Sequence, residues 1–101
     1  MAENSIVLKW NRSGMGSVLA AADADIIGKC IHHNNIDILI SEKFYGTEVV
    51  SDLQFLEALE IATNCNLFGN YTVRIAVDNG FVDTSSVMTI DSIMHAIIVQ
   101  I

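Results

Sequence analysis

The first part of the chain alternates apolar and polar residues in the way that predicts a β-hairpin. Residues 5–10 place every second apolar side chain on one face, which is typical of a half-buried strand. The polar, glycine-containing segment 11–16 predicts a turn, and residues 17–22 predict the returning strand. Asp23 is a suitable N-cap for a short helical turn, and Gly28 predicts the end of that turn.

A third strand is predicted in the middle of the chain. Residues 32–35 are polar and turn-prone, and residues 36–41 then alternate isoleucine with other side chains. This alternation predicts a half-buried strand. The segment Phe44-Tyr45-Gly46 closes the strand and begins an irregular loop.

Two helices are predicted after this loop. Ser51 and Gln54 have the spacing of a capping box, which indicates the start of a helix. Apolar residues then recur at helical spacing, so we expect this helix to extend to about residue 64 or 66. A second helix is predicted over residues 71–79, where an Asn-Gly pair ends the pattern.

The last part of the chain predicts two more strands, over residues 86–90 and 95–101, joined by the polar turn Asp91-Ser92. The order of elements does not repeat a strand-helix-strand unit. We therefore predict an α+β fold. It is a two-layer sandwich with a largely antiparallel sheet and two consecutive helices on one face.

The composition indicates one folded domain over residues 1–101. The chain is 51% hydrophobic and 17% charged, whereas disordered chains combine low hydrophobicity with high charge. Twelve acidic and five basic residues give a net charge of −7. Binding to DNA is excluded as a main function and RNA is disfavoured, because many cationic contacts to phosphates drive such binding.

The same sequence predicts a cytoplasmic protein. Its start carries no basic segment of a secretory signal, and no window approaches the roughly 18 apolar residues of a membrane helix. We expect no membrane partner. Cys30 and Cys65 are interpreted as two buried thiols in a reducing compartment, with one disulfide bridge left open as the alternative.

No catalytic, metal or cofactor site is assigned from motifs. Cys30 and the histidine pair at 32–33 have no second short pair of ligands, so they do not predict a zinc site. The glycines of segment 14–16 precede a strand and not a helix, so they predict a hairpin turn. Glu57 and Glu60 are expected on a solvated acidic helix face, which could dock a basic protein.

Three further residues carry weaker signals. Phe44 and Tyr45, followed by a glycine, could form a ledge for stacking or for a partner side chain; alternatively Phe44 fills the core and Tyr45 covers its edge. His95 could act as a general base, but no nucleophile motif lies near it in sequence. A structural role at the entry to a strand is the interpretation we favour for His95.

The chain resembles the archaeal family described as domain of unknown function 424, from about Ile6 to Val99. The segments that carry the resemblance are Ile26-Ile27-Gly28-Lys29, Ser41-Glu42-Lys43-Phe44-Tyr45-Gly46, Ala62-Thr63, Asn66-Leu67-Phe68-Gly69, Ala76-Val77, Gly80-Phe81-Val82-Asp83 and His95-Ala96. The chain departs from the family at Met94, where a proline is frequent, and at Asp91-Ser92, where glycines are frequent. The resemblance implies an archaeal cytoplasmic protein without an established activity, associated with translation genes.

Two functions follow as expectations. The first is a non-catalytic accessory protein that binds a protein of the translation machinery or a short RNA element. Its predicted binding residues are Lys29, Lys43, Phe44, Tyr45, Gly46, Asn66, Gly69 and His95. The alternative is a small ligand-binding domain or enzyme with a pocket around Lys29, Tyr45 and His95. A homodimer formed through strand edges is a further expectation.

Overall fold

In a computed structural model, the described residues, 4–14 and 16–99, form eight strands and three helices. The strands are β1 Ile6–Ser13, β2 Gly16–Asp23, β3 Cys30–His33, β4 Ile36–Leu39, β5 Val49–Val50, β6 Asn64–Phe68, β7 Met88–Ile90 and β8 Ile93–Val99. The helices are α1 Glu42–Tyr45, α2 Asp52–Ile61 and α3 Asn70–Asp78. Short 3-10 turns occupy Ala24–Ile26 and Thr84–Ser86.

Six of the strands form one sheet in the order β5-β1-β2-β6-β8-β7. All neighbouring strands in it are antiparallel except β2 and β6, which run parallel. Strands β3 and β4 pair separately as a two-stranded hairpin. The predicted α+β class with a largely antiparallel sheet is confirmed.

The sheet buries both of its faces. On one, which we call the helix face, α2 and α3 pack against side chains that include Ile6, Leu19 and Leu67. On the other, the hairpin face, the β3-β4 hairpin and α1 pack against Val7, Ala20, Ala22 and Phe68. The two helices therefore lie on one face as predicted, whereas the cover of the hairpin face was not predicted.

Helix α2, the first of the two predicted helices, is shorter than predicted. Its capping box is present, with Ser51 Oγ accepting from the Gln54 N–H and Gln54 Oε1 accepting from the Ser51 N–H. The helix ends at Ile61, however, and Asn64–Phe68 is β6, a central strand. This strand alternates two asparagines with Cys65 and Leu67, a pattern too short to distinguish from a continuing helix.

The predicted strand over residues 36–41 ends at Leu39. Ser41 then caps α1 by accepting from the Lys43 N–H, so residues 42–45 form one helical turn where a loop was predicted. Two-residue turns with positive φ at both positions close two hairpins, at Asn34-Asn35 and at Asp91-Ser92. Such positive φ values define the type I′ turns that match the twist of paired strands.

Three smaller predictions also have an outcome. Cys65 is buried as expected, but Cys30 is exposed, because it lies on the outer side of the β3-β4 hairpin; both thiols are free. The predicted first turn and last strand include Met15, Gln100 and Ile101, which lie outside the described residues. No helix in the described part of the chain is long and apolar enough to cross a membrane.

Candidate functional site

Helix α1 is held against the hairpin face by two side chains of β1. Lys9 Nζ donates to the carbonyl oxygen of Lys43 at 2.6 Å, and Asn11 Nδ2 donates to that of Phe44 at 2.8 Å. Both carbonyls belong to the last turn of a helix, where intrahelical donors are lacking. These bonds fix the backbone of α1 and thereby the direction in which Tyr45 enters the core.

Tyr45 and His95 meet at a shared asparagine. Tyr45 Oη donates to Asn66 Oδ1 at 2.8 Å, and His95 Nε2 lies 3.1 Å from the same oxygen. Because Asn66 Oδ1 is an acceptor with two lone pairs, His95 must donate through its Nε2–H. When the ring is neutral, Nδ1 is then its unprotonated nitrogen. We call these three residues the Asn66 network.

Aromatic rings surround the Asn66 network. The ring of Tyr45 makes edge contacts with Phe44 and Phe68, at centroid distances of 4.9 and 6.4 Å. The ring of His95 lies 4.7 Å from that of Phe68. The side chain of Tyr45 is 5% exposed, so it is not free to stack on a partner. The alternative, in which Phe44 fills the core and Tyr45 covers its edge, is wrong in its order: Tyr45 is buried in the core and Phe44 is half-buried beside it.

Burial also determines the charge state of the network. Desolvation raises the pKa of Tyr45 to about 12 and lowers the pKa of His95. Burial in an apolar surrounding disfavours the charged form of each group. Tyr45 is therefore protonated and His95 is neutral near pH 7, which suits a hydrogen-bonded structural network.

The remaining predicted residues lie apart from the network. Lys43 and Gly46 line a shallow cleft of about 390 Å³ together with Lys9, Glu42 and Glu48. Lys29 is exposed just before β3, where its backbone N–H donates to Ile26. Three surface cavities on the described residues have linings that include neither Lys29, Tyr45 nor His95.

Gly69 has a structural role at the start of α3. Its φ of +116° favours glycine, and a Cβ at this position would overlap the carboxylate of Asp23. That carboxylate accepts from the backbone N–H groups of Tyr71 and Thr72 and from Thr72 Oγ1, at 2.7–3.1 Å. Asp23 was predicted to cap its own short turn; it caps α3 instead.

The described residues contain no group of three or more His, Cys, Asp or Glu side chains placed to hold a metal ion. The one close pair of this kind is His32 with Asp37, across the β3-β4 hairpin, and both side chains are exposed. The short polar segment around residues 32–35 thus forms the tip of a hairpin.

A surface that the sequence analysis identified only in part lies on the outer side of α2. Glu57 and Glu60 are exposed there, as expected. Leu53 and Ile61 are exposed beside them, by 66% and 75%. At 100° per residue these four side chains span about 100° of the helix circumference. We call them the α2 outer face. Leu53 and Ile61 fall outside the core spacing of this helix, which is the signal that could have identified them.

Comparison with known proteins identifies the family of this chain. The family profile described as "Protein of unknown function (DUF424)" matches residues 10–101. A search of the curated proteins finds no match. A solved structure, "Crystal structure of an uncharacterized conserved protein from Methanopyrus kandleri", has a TM-score of 0.81 and 19% identity, covering 96% of this chain and 94% of that one. At this identity the likeness shows a shared fold. The profile match over most of its length shows that the chain belongs to the family of proteins of unknown function DUF424.

Proposed function

We propose that the protein is a non-catalytic accessory protein that binds a basic protein through the α2 outer face. The observation that carries this proposal is the exposure of Leu53 and Ile61 beside Glu57 and Glu60 on one side of α2. Leu53, Glu57 and Ile61 follow one another at four-residue spacing, so an acidic side chain lies between two exposed apolar ones on the same side of the helix.

The exposed leucine and isoleucine give this surface its apolar part. When a partner covers one of these residues, its large side chain leaves water. Burial of such a side chain contributes about 1.5–3 kcal/mol to the free energy of association. The inner side of α2 is already occupied, because Phe55, Ala58 and Leu59 pack into the core. The outer side is thus a second apolar surface on the same helix.

Charge favours a basic partner. Residues 51–101 hold six acidic side chains and one basic one, Arg74. The acidic groups near the α2 outer face are Glu57, Glu60 and the first helical residue, Asp52. A basic protein would meet complementary charge there, which raises its association rate and sets its orientation. RNA would meet like charge at the same place.

The resemblance described above favours a partner from the translation machinery, in which basic proteins are abundant. A cytoplasmic location is part of this proposal. RNA as a direct ligand and a second copy of the chain are the competing partners, and both are outcomes of the experiment below.

The alternative function is a pocket around Lys29, Tyr45 and His95. One observation favours it, the approach of Tyr45 and His95 to Asn66. Tyr45 is buried, however, and the cleft nearest to α1 is lined by Lys9, Lys43 and other residues outside this set. The docking surface therefore has the stronger support.

The experiment is affinity capture from a lysate of the source organism, with three baits and with or without RNase. The baits are the wild type, the double variant Leu53→Ser/Ile61→Ser, and the control Ile97→Ser, whose residue is equally apolar and 60% exposed on β8. We expect the wild type and the control to enrich the same basic proteins and the double variant to lose them, without an effect of RNase.

Three results would overturn the proposal. Capture that survives in the double variant would remove the α2 outer face from the interaction. Release by RNase would identify RNA as the direct ligand. A bait that retains only copies of itself, with a doubled mass in sedimentation, would identify a homodimer.

A further inference from the structure

A separate cleft lies on the helix side of the molecule, between α3 and the β7-β8 hairpin. Its volume is about 420 Å³, and its lining residues are Arg74, Val77, Asp78, Thr84, Val87, Thr89 and Met94. We call it the α3–β7 cleft. Its volume lies within the range of small-molecule sites, which is about 300–1,000 Å³.

The floor of the α3–β7 cleft is apolar. Val77, Val87 and Met94 are half-buried and pack against the core of the helix face. They come from three different elements: α3, the segment before β7, and β8. A floor built in this way is held in place by the core beneath it, so an apolar group of a ligand would meet a preformed surface.

The rim of the same cleft carries one charge of each sign. Arg74 and Asp78 are four residues apart on α3, so their side chains emerge on the same side of the helix. They are not ion-paired: across the described residues, the only basic and acidic side chains with nitrogen and oxygen within 4.0 Å of each other are His32 and Asp37. Both charges are thus available to a ligand that carries two opposite charges close together.

We propose that the α3–β7 cleft binds a free α-amino acid with an apolar side chain. Its carboxylate would pair with the guanidinium of Arg74, which can donate two parallel hydrogen bonds to a carboxylate. Its ammonium group, bonded to the same carbon, would pair with Asp78. The apolar side chain then lies on Val77, Val87 and Met94, and the hydroxyls of Thr84 and Thr89 complete the rim.

The charge balance of the rim selects against other classes of ligand. A phosphate compound would find one cation in Arg74 but would meet repulsion from Asp78. A simple amine would pair with Asp78 but would approach Arg74 with like charge. Only a zwitterion satisfies both side chains, and only one with an apolar side group also covers the floor.

The test is a titration of the uniformly 15N-labelled protein, followed by amide chemical shifts. Three probes share the same isobutyl group: L-leucine, 4-methylpentanoate, which lacks the ammonium group, and 3-methylbutylamine, which lacks the carboxylate. We expect L-leucine to shift amides around Val77, Val87 and Met94 with a Kd of about 1 mM. Each single-charge probe should bind about tenfold or more weakly, because one charge-assisted contact is lost.

Two variants and one control make the assignment specific. Arg74→Gln and Asp78→Asn should each weaken L-leucine binding about tenfold or more. Asp25→Asn, which removes an exposed charge that does not line the cleft, should leave it unchanged. The proposal is overturned if L-leucine shifts no amides of the cleft, if 4-methylpentanoate binds as tightly as L-leucine, or if either cleft variant binds like the wild type. None of these results bears on the α2 outer face, so the two proposals fail independently.

Discussion

The two faces of the sheet are buried by different means. The helix face is covered by two helices of ten and nine residues, and apolar contacts dominate it. The hairpin face is covered by a four-residue helix and a two-stranded hairpin. These short elements pack apolar side chains such as Ile31 and Tyr45 against the sheet, and polar bonds from Lys9, Asn11 and Asn66 in addition hold α1 in place.

This difference gives a structural task to residues that resemble a reactive site. A tyrosine and a histidine that both contact one asparagine are residue types found in catalytic sites. Here they join a short helix to a sheet whose long covering helices lie on the opposite side. On the helix face, by contrast, Thr72 is the one buried polar side chain among the described residues, and its hydroxyl donates to Asp23.

The largest expected effect is on the helix face. Phe55→Ala removes a fully buried ring of α2 and leaves a cavity, so the free energy of unfolding should fall by about 3–5 kcal/mol. Urea unfolding followed by circular dichroism measures this change. Leu53→Ala on the exposed side of the same helix is the control, with an expected change within about 0.5 kcal/mol. Equal losses in the two variants would mean that α2 does not pack as described.

A smaller, local effect is expected on the hairpin face. Asn66→Ala leaves the hydroxyl of Tyr45 and the Nε2–H of His95 without their shared acceptor, which should cost about 1–3 kcal/mol. Hydrogen exchange should become faster in α1 while α2 and α3 keep their protection. Asn64→Ala, on the same side of β6, is the matched control. Faster exchange spread evenly over both faces would contradict the separate role of the network.

The cap of α3 links that helix to the sheet, because Asp23 is the last residue of β2 and its carboxylate accepts hydrogen bonds from α3. Asp23→Ala removes the acceptor of two backbone N–H groups and should lower the free energy of unfolding by about 1–2 kcal/mol. Asp23→Asn keeps an acceptor and should lose less. Asp25→Ala, an exposed neighbour, should be close to neutral. If Asp25→Ala costs as much as Asp23→Ala, the capping assignment is wrong.

The smallest expected effect is a pH dependence on the hairpin face. Burial lowers the pKa of His95 below its unfolded value, so the unfolded chain binds the proton more readily. The contribution of His95 to stability is therefore complete above pH 6.5 and declines as the pH falls from 6.5 toward the folded pKa. Urea unfolding at pH 8 and pH 5 should show a larger decline for the wild type than for His95→Gln. The opposite order would show that His95 is bound as a cation.

The sequence predicted the helix face better than the hairpin face. Capping at Ser51 and helical spacing of apolar residues are local signals, and they identified both covering helices. Strand β6 was missed because five residues with alternating asparagines continue a helical pattern equally well. Its position in the middle of the sheet depends on pairing with β2 and β8, which are distant in sequence.

The fold brings together only some of the residues that the sequence analysis selected. Tyr45, Asn66 and His95 were all selected, and the fold brings them together. Tyr45 and His95 share Asn66 Oδ1 as an acceptor because of the register between β6 and β8. No local sequence pattern encodes that register. Gly69 was also selected, but its positive φ and its contact with Asp23 arise from an approach between residues 46 positions apart.

The central claim is that the protein acts through the α2 outer face. Site-specific photo-crosslinking tests it most directly, with a benzophenone side chain placed at Leu53 in one preparation and at Ile97 in another. Both preparations are irradiated in lysate of the source organism. The account predicts crosslinks to a basic protein from position 53 and none to that protein from position 97. Crosslinks to the same protein from position 97 alone, or no crosslinked protein from position 53, would contradict it.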